Sequence, residues 1–199
     1  MMNSQLLFEQ KLSRGKFVVY SSRPSFLVKT VKQIHSDIVL SENEIDEKNN
    51  YEADGIIGTS QIPLAVLTAD CIPVLLIGKN SHAIIHAGWK GLQTKILNHP
   101  FLKEINPSHA FIGPHIRVSQ YEVQEEFKKN FPSSHSFIKI NNQLCFDLTK
   151  EVTTQLQNNF SHIKIEDCKI CTFSDQRFSS FRRNQTPNRN WNIYIPEGE

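Results

Sequence analysis

Two apolar runs set the terms on which this chain can fold. Residues 64–67 and Ile72–Ile77 are nearly all apolar and rich in branched side chains. Such runs lack the alternation of a half-solvated strand and fit strands covered on both faces. Residues 83–85 form a third, shorter run of the same kind. Strands of this type need material above and below them. The 199 residues available suffice for one layered domain and are too few for two comfortable ones. A single domain over residues 1–199 is therefore expected.

Further short strands are expected at 17–20 and 26–31, joined by the turn Ser21-Ser22-Arg23-Pro24-Ser25, and at 109–112, 163–165, 179–182 and 192–195. Ile56-Ile57 follows Asp54-Gly55, read as a turn, and Gly58 ends that strand. With 38–40 as a borderline case, the count is about nine or ten. Residues 41–50 read as a surface loop or a short capped helix. Three helices are expected. One is short, at 92–97. A second spans 121–131, where Val123, Phe127 and Phe131 recur every four residues. The third starts at the N-cap Asp147 and repeats Leu148, Val152, Leu156 and Phe160 at the same spacing. Strands and helices do not alternate regularly. That predicts an α+β fold of layered mixed β-sheets flanked by helices, not a doubly wound parallel sheet. Neither a dinucleotide fingerprint nor a P-loop is present.

Charge and cysteine usage remove several function classes. The formal net charge is +2 and no basic block dominates, so the footprint of a nucleic-acid binder is missing. No apolar run approaches the ~20 residues of a membrane helix. Residues 1–10 lack a basic start followed by a long apolar stretch, which points to the cytoplasm. The four cysteines, Cys71, Cys145, Cys168 and Cys171, are too few and too unevenly placed for a disulfide framework. Cys168-Lys169-Ile170-Cys171 has no second ligand pair for a structural zinc and reads as two thiols on a partly buried strand. The C-terminal third is locally basic around Arg177, Arg182, Arg183 and Arg189. These form either a solvated face or a pocket for an anion.

Three residues have chemical capacity, and two of them interrupt or end apolar runs. Cys71 precedes Ile72 and Pro73, and proline suggests that the strand proper begins after it. Cys71 then lies at the mouth of a strand, or is a small buried hydrophobe. His86 ends the run at 83–85 and is followed by the small Ala87 and Gly88. His35 follows Ile34 in a polar stretch. A thiol and imidazoles so placed leave two chemistries open: a metal site with three protein ligands, or a cysteine nucleophile with its base. His115 reads as a histidine of an exposed loop, with an extra polar group at the mouth of a site as the alternative.

These residues sit in longer strings. They are Gln33-Ile34-His35, Ala53-Asp54-Gly55, Leu67-Thr68-Ala69-Asp70-Cys71-Ile72-Pro73-Val74-Leu75-Leu76 and His86-Ala87-Gly88-Trp89-Lys90-Gly91. Ile112-Gly113-Pro114, Tyr121-Glu122-Val123, Phe146-Asp147-Leu148, Cys171-Thr172 and residues 178–183 follow. In this order they resemble the laccase-domain family, the YfiH-like proteins, described both as polyphenol oxidases and as purine nucleoside phosphorylases.

The resemblance implies a YfiH-like, cysteine-hydrolase-like fold in which His35, Cys71 and His86 bind one zinc ion. Zinc accepts mixed thiolate and imidazole ligands, and three of them leave a fourth position for water or substrate. The implied activities are phosphorolysis of adenosine, inosine and methylthioadenosine, and deamination of adenosine. The implied partners are purine nucleosides and phosphate, not nucleic acid or membrane, for a monomer or small homo-oligomer. Asp70 is the candidate for moving protons or supporting the metal site. Lys90 and Arg182 are candidates at the reacting centre. Arg23, Arg183 and Arg189 are candidates for holding phosphate, which arginine suits through its planar fork of donors. Two further activities remain attached to this family: thiol hydrolysis of cell-wall precursors, with Cys71 as nucleophile and His86 as base, and copper-dependent phenol oxidation. None of the eight histidines forms an H-x-H pair of the multicopper type, so copper is less favoured than zinc. A non-enzymatic zinc protein is the remaining alternative.

Overall fold

Two of the apolar runs become the adjacent central strands of one sheet, and the third becomes the edge strand of a second sheet stacked on it. The computed structural model describes residues 4–46, 49 and 51–197. Among these, the strands in chain order are β1 (Leu6–Leu12), β2 (Gly15–Tyr20), β3 (Val39–Ser41), β4 (Gly55–Gly58), β5 (Leu64–Thr68), β6 (Ile72–Ile77), β7 (His82–Ala87), β8 (His109–Ile112), β9 (Phe137–Ile140), β10 (Gln143–Phe146), β11 (Lys164–Asp167) and β12 (Asn190–Pro196). The helices are α1 (Trp89–Gln93), α2 (Pro100–Ile105), α3 (Leu148–Asn159) and α4 (Phe181–Asn184).

A six-stranded mixed sheet has the order β11-β8-β6-β7-β4-β3, and a four-stranded antiparallel sheet the order β1-β2-β12-β5. Every residue of β6 and β7 is buried. The reason is the two-residue period of a strand. Val74 and Leu76 pack on one face with Leu92, Ile96, Val152 and Leu156. Leu75 and Ile77 pack on the other with Phe17, Val19, Leu64 and Val66 of the second sheet. Each such fully buried side chain contributes roughly 1.5–3 kcal/mol of transfer free energy. The fold is thus α+β with helices on one face, as the sequence predicts.

The chain changes sheet between β5 and β6. Only Ala69, Asp70 and Cys71 separate a strand of the four-stranded sheet from one of the six-stranded sheet. Asp70 makes the crossing with φ +88°, a conformation costly for a residue with a Cβ.

Several local expectations are corrected. Residues 26–31 form no strand; they touch the sheets only through isolated bridges of Lys29 to Leu64 and Lys32 to Glu52. Residues 121–131 are not one helix. Val123 pairs its N–H with the Leu144 carbonyl, and only Glu125–Asn130 coils, as a 3-10 turn. The four-residue aromatic spacing instead packs Phe127 against Trp89, Tyr121, Phe137 and Phe146. Residues 179–182 do not form a strand but begin α4, whose cap Ser180 accepts from the Arg183 N–H. The helix expected at 92–97 is split between α1 and a 3-10 turn, Ile96–Asn98. β6 includes Pro73, whose carbonyl accepts from the Gly113 N–H at 3.0 Å. Gly55 lies inside β4 and not in a turn. The strand before the two C-terminal cysteines ends at Asp167, so Cys168 and Cys171 sit beyond it. The sequence reading also missed β1, α2 and the β9–β10 hairpin, whose Asn141 and Asn142 both take positive φ. Of the segment 41–50, residues 42–44 form a 3-10 turn with a capping box on Ser41; residues 47, 48 and 50 lie outside the described residues. None of the described helices is long and apolar enough to cross a membrane.

His115 is not exposed but fully buried, bonded to the Gly113 carbonyl and to Thr149 Oγ1, both at 2.8 Å. Burial, with the Arg117 charge beside it, pushes its pKa down to about 3. His82, buried against the Tyr194 ring at 4.8 Å, is pushed down to about 4 by burial, against the opposing pull of Glu42. Both are neutral in the fold and ionise near 6.5 in the unfolded chain. The unfolded state therefore binds more protons in acid, and stability falls as pH drops from about 6.5 towards 4. Each histidine adds a slope of up to ~1.4 kcal/mol per pH unit. Urea unfolding of the wild type and His82→Phe at several pH values between 7 and 4.5 checks this. The variant is expected to show the shallower slope; equal slopes would refute the assignment.

Candidate metal centre

Strand register brings the thiol to the imidazole. Pro73 of β6 lies opposite His86 of β7, and Ile72 opposite Ala87, so Cys71 emerges beside His86. The third group comes from a loop. β3 runs parallel to β4, which lays the segment before β3, containing His35, against the segment before β4, containing Asp54. The ligand atoms of His35, Cys71 and His86 all lie within 4.8 Å of one another.

Asp54 holds two of the three. Its carboxylate is fully buried and accepts from the N–H of His35 (3.0 Å), the N–H and hydroxyl of Ser36 (2.6 and 2.8 Å) and Nδ1 of His86 (2.7 Å). An ionised carboxylate only accepts, so His86 carries its proton on Nδ1 and leaves Nε2 open for a metal. Burial works against the Asp54 charge, but its bonds to His86 and Ser36 prevail and its pKa is lowered. His35 has φ +61°, a strained backbone kept in place by this carboxylate. Gln33 anchors the same loop, its amide bonding both the N–H and the carbonyl of Leu67. Burial pushes the Cys71 thiol up, but His86 and His35 outweigh it and leave it at about 6. Burial pushes His86 down, and Cys71 and Asp54 outweigh that and bring it to about 9.

The donor set fits a metal. One thiolate and two imidazoles converge, and a Cβ placed on Gly88 would stand 3.1 Å from His35 Cδ2 and 3.3 Å from Cys71 Sγ. The glycine keeps the space between the ligands clear.

Asp70 binds the C-terminal segment. It accepts from Thr172 Oγ1 (2.7 Å), Ser180 Oγ (3.0 Å) and the Arg182 N–H (2.6 Å). All three bonds fasten the C-terminal segment to the residue before Cys71. Two cavities open at this point. One, of about 320 Å³, is lined by His35, Asp70, Cys71, Trp89, Tyr121 and Arg182 among others. The other, of about 560 Å³, is lined by Gln33, His35, Thr68, Cys71, His86 and Arg189 among others.

The basic candidates divide. Arg182 stacks over Tyr121 at 5.2 Å and lines the smaller cavity; Arg189 lines the larger. Arg183 lines neither, its guanidinium donating to the carbonyls of Thr172, Phe173 and Phe178. Arg23 is exposed over Trp191, and Lys90 is exposed over Trp89. Sequence reasoning missed Asp54, because a carboxylate before glycine reads as a turn former. It also missed the aromatic walls Trp89, Tyr121 and Phe181, which carry no signal apart from their place in the motifs.

Residues 17–193 match a family model described as multi-copper polyphenol oxidoreductase laccase. A Clostridium acetobutylicum protein named purine nucleoside phosphorylase is 31% identical, the match covering 96% of this chain and 87% of that protein. An Aquifex aeolicus protein of the same name is 33% identical over 79% of this chain and 77% of its own length. Among solved structures, a Neisseria meningitidis protein superposes with a TM-score of 0.83 at 20% identity, covering 98% of this chain and 100% of its own. Bacillus licheniformis YfiH superposes with 0.73 at 20% identity, covering 85% and 74%.

Proposed function

Given that the chain belongs to the multi-copper polyphenol oxidoreductase laccase family, we propose that it is a zinc-dependent purine nucleoside phosphorylase that also deaminates adenosine. The observation that carries this is the place of the His35, Cys71 and His86 set, at the meeting point of two cavities, in a chain whose relatives are named purine nucleoside phosphorylases. Phenol oxidation at several coppers has little support: among the described residues this is the one three-ligand group, and a multicopper centre needs more.

Zinc, when bound, supplies a Lewis acid at the junction of the cavities. Everything else falls to the chain. Asp54 fixes the His86 tautomer and the His35 backbone, so the ligand atoms converge without reorganisation. Trp89 and Tyr121 offer flat apolar surface to a purine. Adenosine, inosine and methylthioadenosine share that ring. In deamination, water adds at carbon 6 of the same ring and the amino group there leaves as ammonia. All four cysteines are free thiols, a state that suits the cytoplasm.

The purified protein is expected to carry about one zinc per chain. With inosine or adenosine and phosphate it should release free base and ribose 1-phosphate, and adenosine alone should yield ammonia. Metal analysis and chromatography of the products check this. A fully metallated sample that releases neither base nor ammonia would overturn the proposal. A thiol nucleophile at Cys71 is the second reading, favoured by the depressed thiol.

A further inference from the structure

The two cavities meet at Cys71 and differ in chemistry. Trp89, Tyr121, Ile116 and Leu148 wall the smaller one, where Arg182 is the cation. Lys32, Gln33, Thr68 and Arg189 give the larger one its polar side. His35, Ala69, Cys71 and Phe181 line both. Phosphorolysis likewise joins two molecules of opposite character, a flat purine nucleoside and a phosphate dianion.

We propose, on the basis of the phosphorylase reading, that the aromatic cavity takes the purine and the polar cavity takes the phosphate, with Phe181 as the partition against which the base stacks. Phe181 is 52% exposed, far from the usual fate of a phenylalanine. It is nevertheless rigidly mounted. Ser180 and Arg182, its neighbours on either side, both bond the Asp70 carboxylate, at 3.0 and 2.6 Å. Asp70 adjoins Cys71, so the partition hangs one peptide away from a metal ligand. A stiffly held, solvated aromatic ring beside two cavities is a stacking surface.

Arg189 fits the phosphate. Its Nη1 donates to the carbonyls of Thr186 and Asn188, both at 2.9 Å. Those bonds hold the guanidinium, and its Nε and Nη2 donate to no group among the described residues. An Nε–Nη2 edge is a bidentate fork for two phosphate oxygens. Arg182, held by the Glu122 carbonyl at 3.0 Å, stands where negative charge gathers on a departing purine. The balance closes without another reactant. A phosphate oxygen bonds to the anomeric carbon, the glycosidic electron pair leaves with the purine, and the proton of hydrogen phosphate passes to a purine nitrogen.

Initial rates with inosine and phosphate varied in turn test the allocation on the metallated protein. Arg189→Met is expected to raise the KM for phosphate at least tenfold and leave that for inosine within twofold. Phe181→Leu is expected to raise the KM for inosine roughly five- to hundredfold, with Phe181→Tyr restoring it and phosphate unaffected. Both side chains lie at the cavity rims, and thermal melting checks that the variants fold. A shift of the inosine KM in Arg189→Met, or none in Phe181→Leu, would overturn the allocation. Binding without turnover separates the two levels of inference. In Trp191→Phe the remaining tryptophan is Trp89, and hypoxanthine alone should quench its fluorescence. Quenching without any phosphorolysis would sink the phosphorylase reading and leave the purine cavity standing. Phosphorolysis without quenching would sink the allocation and leave the reading.

Discussion

Replacing Cys71 with serine is expected to empty the metal centre. Zinc content should fall from about one per chain to near zero, and nucleoside phosphorolysis by roughly a thousandfold, because two imidazoles on their own make a weak zinc site. The fold should persist: Cys71 is partly exposed, precedes β6, and loses only a sulfur. Metal analysis with melting curves checks both halves. The same residue separates ligand from nucleophile. A zinc-bound thiolate resists alkylation and a free one reacts. Iodoacetamide should therefore leave Cys71 intact in the metallated protein and modify it after chelation. An alkylation rate indifferent to chelator would show that the thiol is free, and would favour the hydrolase reading.

Asp54→Ala is expected to cost more in stability than any substitution at the ligands themselves. It orphans the His35 N–H, the Ser36 N–H and hydroxyl, and the His86 ring N–H in one step. The His86 ring N–H is buried and the other three donors are part-buried; a buried donor left unpaired costs about 1–3 kcal/mol, a part-buried one less. Relaxation recovers part of the sum, so a net loss of about 4 kcal/mol is expected. For a chain of this size that lowers the melting temperature by roughly 10 °C. Asp54→Asn keeps the shape, loses the charge and mismatches part of the donor set. It should lower zinc affinity by roughly 10–100-fold. Chelator competition measures the affinity, and melting of the chelated protein isolates the structural part. If Asp54→Asn binds zinc as tightly as the wild type, the carboxylate does not orient the ligands.

How much of this was legible in the sequence depends on the range of the interaction. β6 and β7 are visible because apolar side chains on both faces leave an unbroken run. α3 is visible because a cap and a four-residue repeat are local facts, and Asp147 indeed accepts from the Lys150 N–H. The segment 121–131 shows the same repeat and misleads. Its aromatics serve a cluster around β10, and pairing of Val123 with Leu144 overrides helical preference. At the site, residues alone leave Cys71 open between ligand and nucleophile. Asp54 is invisible as an organiser because its partners lie at 35, 36 and 86, joined only by the sheet. The arginines differ by what already occupies them. Arg183 is spent on carbonyls, a fact no charge pattern carries, whereas Arg182 and Arg189 reach the cavities.

The crossing between the sheets ties the packing of the layers to the geometry of the site. Ala69, Asp70 and Cys71 belong to neither sheet; they are the three-residue passage from β5 to β6. The ligand beside them comes from the six-stranded layer, and the loop carrying His35 is pinned through Gln33 to the four-stranded one. A slip of one sheet over the other would pull on this passage and on the Gln33 anchor together, so the spacing of the thiol and the imidazoles is set by how the two layers stack.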